Sequence, residues 1–171
     1  MPSTTEHNYF YNQVAKFHTA FGHTIHTKPT PMPAETAVKR AIWSGEELIE
    51  FLHETAQNET EFLALVDQFK AGIDTAVEKS RQDEYPLTDH ERIVGQADAL
   101  IDELYFNQGS FTVLGVKPTP LFDIVQSANM AKLGPDGKPI IRKSDNKIMK
   151  PNGWEAPEPK LSAEIRNQLD K

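Results

Sequence analysis

Two groups of carboxylates are spaced so that they could do chemistry. Glu46-Glu47-Leu48-Ile49-Glu50 holds three glutamates within about one helical turn. Residues three and four apart share a helix face, so Glu50 would lie beside both Glu46 and Glu47. Asp98-Ala99-Leu100-Ile101-Asp102 repeats the device with two aspartates one turn apart. Each group falls near the middle of a predicted helix, where capping or dipole compensation does not account for it. Carboxylates that converge repel and raise one another's pKa unless a cation lies among them. Hard oxygen donors of this kind suit Mg²⁺ or Mn²⁺. The plain alternative is a solvated face, because glutamate forms helices well and charged side chains are mostly exposed. A di-iron carboxylate bundle is a third reading, since Glu50-Phe51-Leu52-His53 has the Glu-x-x-His spacing that such bundles use on two helices. None of the other five histidines has a carboxylate three positions earlier, so half of that ligand set is missing.

The elements that would carry these groups follow from the prolines and the apolar periodicity. Residues 34–85 and 87–117 contain no proline, which permits long helices. Phe10, Val14, Phe17 and Phe21 recur at helical steps. So do Val38, Ile42, Gly45, Ile49 and Leu52, then Phe62, Val66, Phe69, Ile73 and Val77. Ile93, Ala97, Leu100, Ile101 and Leu104 form a fourth set, and Leu121, Ile124, Val125 and Ala128 a shorter fifth. Asn58 with Glu61 and Thr88 with Glu91 have capping-box spacing. Thr119-Pro120 reads as a cap before a proline at the first helical position. The pattern predicts an all-α fold of about five helices, with the helical core over about residues 8–131. After it comes a basic C-terminal arm over about 132–160. Leu133-Gly134-Pro135-Asp136-Gly137 is turn chemistry. Ile140–Arg142 and Lys147–Met149 could pair around Ser144-Asp145-Asn146, so the arm is expected to be irregular or a short β-hairpin. One or two further helical turns are possible near Ser162–Leu169.

At 171 residues a single domain over 1–171 is the default. The absence of cysteine excludes disulfides, thiolate zinc sites and cysteine nucleophiles. The net charge of −7 makes a DNA or RNA polymer a poor partner. No stretch resembles a membrane span, and the polar N-terminus lacks the apolar core of a signal peptide, so the cytoplasm is the expected compartment. The charge is unevenly distributed. Residues 1–45 carry a net +2, residues 46–105 a net −12 and residues 106–171 a net +3. Acidity is concentrated where a divalent cation would bind, and basic charge where a polyphosphate would.

These residues also resemble a family. Glu46-Glu47-x-x-Glu50 followed by an acidic helix around Asp98 is similar to the EExxE and ExxD motifs of the all-α NTP pyrophosphatases, the MazG-like and phosphoribosyl-ATP pyrophosphohydrolase-like proteins. Ala97–Tyr105, the Gly109–Gly115 segment and Ser127-Ala128-Asn129-Met130-Ala131-Lys132 fit the same pattern. Asp136-Gly137-Lys138 and Lys147-x-x-Lys150-Pro151-x-Gly153-Trp154 resemble the arm of the phosphoribosyl-ATP branch. The resemblance covers roughly residues 10–157. It departs from the pattern at Gly95, which stands where the ExxD glutamate would be; Asp102 could replace that carboxylate.

The resemblance implies Mg²⁺-dependent hydrolysis of a nucleotide between its α and β phosphorus atoms. Glu47, Glu50, Asp98 and Asp102 would be metal ligands, and Glu46 a further ligand or the base that orients water. Lys132 would hold the charge of the leaving pyrophosphate, with Asn129, Lys147 and Lys150 binding substrate. It implies a homodimer or homotetramer whose second copy completes the bundle. A non-catalytic nucleotide-binding or helical interaction module on the same fold is the alternative, motivated by Gly95. Phe17, Phe21, Trp43, Tyr105 and Asn107 could contribute to a base pocket, and Arg40 could meet phosphate.

Overall fold

The proline-free windows and the caps act together to set the helices. The structure is a computed structural model that describes residues 8–142, 144 and 148–170. Six helices form among the described residues: α1 (Tyr9–Phe21), α2 (Ala34–Thr55), α3 (Glu59–Ser80), α4 (Asp89–Leu114), α5 (Pro118–Met130) and α6 (Glu158–Leu169). No strand forms among those residues, so the chain is all-α.

Capping decides where α3 and α4 begin. Asn58 accepts from the Glu61 amide at 3.0 Å, and the Glu61 carboxylate accepts from the Gln57 amide at 2.8 Å. At α4 the Glu91 amide donates to the Thr88 hydroxyl at 3.2 Å. Glu91 in turn accepts from the Leu87 and Thr88 amides at 2.8 and 2.9 Å. These backbone donors hold the Glu91 carboxyl below the usual glutamate range.

Two starts differ from the sequence reading. α5 begins at Pro118, not after Thr119, and Pro118 occupies the first turn, where its missing N–H costs nothing. Lys117 stays extended because the Gln168 amide accepts from its N–H at 2.7 Å and donates to its carbonyl at 3.1 Å. α6 runs three turns rather than one or two, because Pro157 and Pro159 lie before or within its first turn, where proline is tolerated.

The chain divides into two compact units. One comprises Pro29–Ile101; the other comprises Met1–Lys28 with Asp102–Lys171. In the first, α2 packs on α3, and Val66 is buried at 8% exposure. The half-buried Gln96 side chain of α4 accepts from the Met32 N–H at 2.8 Å and donates to the Met32 carbonyl at 3.0 Å. In the second, α5 packs against α1 and α6. Phe21 is buried at 6%, Phe17 stacks on it at 4.2 Å, and Phe10 meets Phe122 edge-on at 4.7 Å. The Tyr9 hydroxyl donates to the Asp123 carboxylate.

The arm after α5 is irregular. Gly134 and Gly137 close the expected turn, in which the Gly137 amide donates to the Gly134 carbonyl at 2.9 Å. Of the pairing expected further on, the described residues show an antiparallel bridge, Ile141 with Ile148, and the Met149 N–H donates to the Ile140 carbonyl at 2.7 Å. Asp145, Asn146 and Lys147 lie outside the described residues. No helix among the described residues is long and apolar enough to cross a membrane.

Candidate active site

Helix α2 presents the first carboxylates. Glu46, Glu47 and Glu50 are all exposed, and none forms a hydrogen bond or ion pair with a described residue. Their isolation is not general on this chain. Glu35 pairs with Lys39 at 2.8 Å, Glu78 with Arg81 at 3.0 Å, Asp89 with Arg92 at 3.0 Å and Glu155 with Lys160 at 3.2 Å. Asp98 and Asp102, one turn apart on α4, are likewise exposed and without a described partner. The donors are oxygen only and carry no competing cation, which suits Mg²⁺ in kind. Among the described residues, no group of three or more His, Cys, Asp or Glu side chains converges to hold a metal. A Cβ at Gly95 would meet nothing within 4 Å, so the position has room for the glutamate of the motif.

Among the described residues, no cluster of His and carboxylate side chains forms around His53, as the di-iron alternative would need. His53 meets the Glu54 carboxylate at 3.0 Å, and its ring packs edge-on against Phe62 at 5.2 Å.

The end of α5 and the arm gather the cationic candidates. Asn129 and Lys132 are one turn apart and half-buried, and the Lys132 ammonium donates to Asn129 Oδ1 at 2.8 Å. Lys150 Nζ lies 4.0 Å from the centre of the Trp154 ring, and Lys132 Nζ lies 5.9 Å from it. The indole N–H donates to the Ala128 carbonyl at 2.8 Å, which ties the arm back to α5. Burial, and then the positive charge of Lys150, lower the Lys132 pKa from the usual lysine value. Lys147 lies outside the described residues. A cleft of about 260 Å³ opens beside Trp154, with Ile124, Ser127, Ala131, Pro151 and Pro157 among its walls.

The sequence motif singled out Asn129, Lys132 and Lys150 as candidates but assigned nothing to Trp154. The signal for it was Pro151-x-Gly153-Trp154, a turn that returns an aromatic ring toward the lysine four residues earlier. Gln96 carried no signal at all. The base-pocket candidates separate: Phe17 and Phe21 are packing residues, whereas Trp43 and Tyr105 are exposed.

Comparison with known proteins defines the class. The phosphoribosyl-ATP pyrophosphohydrolase family model matches residues 14–129, and the chain belongs to that family, a group of hydrolases acting on acid anhydrides. A crystal structure of a candidate NTP pyrophosphohydrolase from Exiguobacterium sp. 255-15 is similar to it at 56% sequence identity with a TM-score of 0.92. The match covers 94% of this chain and 96% of that one. No curated protein matches the chain.

Proposed function

We propose that the protein is a Mg²⁺-dependent nucleotide pyrophosphohydrolase. It cleaves the α–β phosphoanhydride of a nucleoside triphosphate or related nucleotide to a monophosphate and pyrophosphate. The observation that carries this reading, beside family membership, is the set of exposed carboxylates on α2 and α4 that no cation of the described chain neutralises. Glu47, Glu50, Asp98 and Asp102 would hold Mg²⁺, or Mn²⁺ in its place. When bound, the ion supplies neutralisation of phosphate charge.

The chain's own residues divide the remaining work. Glu46 orients a water and accepts its proton as the oxygen attacks the α-phosphorus. The bond to the bridging oxygen breaks, and that oxygen leaves with the electron pair as part of pyrophosphate. Lys132 and Lys150 meet the negative charge that builds on the departing group, and Asn129 fixes the position of Lys132. Lys147 extends the same basic segment. Both units belong, in this reading, to one functional domain over residues 1–171.

We also propose a homodimer or homotetramer. Val38, Ile42, Trp43 and Phe51 on α2, and Leu100, Ile101, Leu104 and Tyr105 on α4, are all exposed. Clustered exposed apolar side chains on a helix mark contact surfaces. Light scattering should return at least twice the monomer mass of 19.3 kDa.

The deciding experiment incubates the purified protein with a nucleotide panel and Mg²⁺ and measures pyrophosphate. No release from any nucleotide, together with no effect of Glu50→Gln, would sink the hydrolase reading. Gly95 favours the alternative of a binding module without turnover. Calorimetric nucleotide binding that Mg²⁺ leaves unchanged, with no hydrolysis, would select it.

A further inference from the structure

Trp154 is the hub of the cationic group. Its half-buried ring is fixed at one edge by the 2.8 Å hydrogen bond from Nε1 to the Ala128 carbonyl. Its face carries Lys150 at 4.0 Å and sits 5.9 Å from Lys132. The turn that presents the ring is tight. The Trp154 amide donates to the Pro151 carbonyl at 3.1 Å, and Gly153 stands at the third position with φ 82°. That is the conformation a type II turn requires of glycine. Neither lysine forms an ion pair with a described residue. Two ammonium groups are thus held near one ring, and among the described residues the quadrupole of the indole and the Asn129 amide oxygen offset their repulsion.

From this geometry we infer that Trp154 is a positioning residue for anion binding. The ring holds the ammonium groups of Lys132 and Lys150 close together before ligand arrives, so that a diphosphate group can bridge them. The inference rests on the phosphate-binding role proposed above for the two lysines. The ring orders two long side chains in advance, which reduces the entropy that an anion must otherwise remove on binding. Such an effect acts equally on ground and transition states, so it belongs in KM rather than kcat.

Two experiments test it. The chain has two tryptophans, so a Trp43→Phe protein makes Trp154 the only indole. Titrating that protein with inorganic pyrophosphate, with and without Mg²⁺, should change indole emission in a saturable way. Lys132→Gln and Lys150→Gln should each weaken the response. Calorimetric binding of pyrophosphate with no change in emission would overturn the inference while leaving the lysine roles intact. No pyrophosphate binding by calorimetry would overturn both. In nucleotide hydrolysis, Trp154→Ala should raise KM about tenfold with kcat within about twofold. Trp154→Phe keeps a ring face and should recover most of that loss. Gly153→Ala keeps the indole but strains the turn, and should raise KM in the same direction. A wild-type KM in Trp154→Ala, or a Trp154→Phe protein as weak as Trp154→Ala, would show that the ring does not position the lysines.

Discussion

In the unit spanning Pro29–Ile101, the candidate carboxylates Glu46, Glu47, Glu50 and Asp98 stand on helix faces without a partner among the described residues. In the unit containing α5 and the arm, Lys132 and Lys150 are drawn to one ring, and Asn129 and Ala128 hold the assembly in place. The acidic group is set by helical periodicity alone, since i, i+3 and i, i+4 spacing guarantees a shared face wherever a helix forms. The cationic group depends on a turn folding back onto α5 from more than twenty residues away. Substitutions should therefore behave differently on the two sides. Acidic replacements should alter chemistry with little effect on stability, whereas replacements around the arm should change how well anions are held.

The largest effect should come from the acidic side. Glu50→Gln is expected to lower the rate of pyrophosphate release by about 100- to 1,000-fold. Its thermal midpoint should barely move, because an exposed side chain without a partner contributes little to stability. A midpoint that falls steeply would instead make Glu50 a structural residue. On the cationic side, Lys132→Gln should lower kcat/KM by about 10- to 100-fold through the loss of a charge-assisted phosphate contact. Initial-rate kinetics would register this, and an unchanged kcat/KM would remove Lys132 from the site.

Gln96 and Gln168 each bridge both backbone groups of one non-helical residue, Met32 and Lys117 respectively. The Gln96 pair is half-buried, so Gln96→Ala should cost about 1–3 kcal/mol in urea unfolding, because the Met32 groups lose their partners. The Gln168 bonds to Lys117 are exposed, water replaces them more readily, and Gln168→Ala should cost less. Equal losses would mean that burial does not distinguish the two clamps.

Gly95→Glu should add about 0.5–1 kcal/mol of stability by removing a mid-helix glycine. It should also lower the Mg²⁺ concentration needed for half-maximal rate, since the position has room for the side chain. An unchanged Mg²⁺ dependence would separate Gly95 from the metal site.

The smallest effect is in pH. Burial and the Lys150 charge lower the Lys132 pKa, so Lys132 loses its proton at a lower pH than an ordinary lysine. KM should accordingly begin to rise at a lower pH on the alkaline side than an ordinary lysine would give. Lys150→Gln removes one of the two causes and should move that limb to higher pH, visible in a KM–pH profile.

Much of this was legible in the sequence. Proline-free windows and apolar spacing marked α1 to α5, and Asn58 and Thr88 marked the starts of α3 and α4, because helix formation and capping are decided within a few residues. The sequence undercounted α6 and misplaced the start of α5. Proline in a first turn looks locally like a breaker, and Lys117 is held extended by a residue fifty-one positions away. The hairpin expected in the arm was a weak local signal, and it amounts to one described bridge.

Residues close together in the chain account for the bodies of α1 to α5, the spacing of the acids and the family motifs, since each of these is a local pattern. That Gln96 binds Met32, that Trp154 docks on Ala128 and that two lysines eighteen residues apart lie near one ring follows from the folded chain alone. Those contacts depend on where the chain returns, which no local pattern encodes. It also shows apolar stripes that one copy of the chain does not cover. The periodicity marks a face to be buried, but it cannot say what buries it.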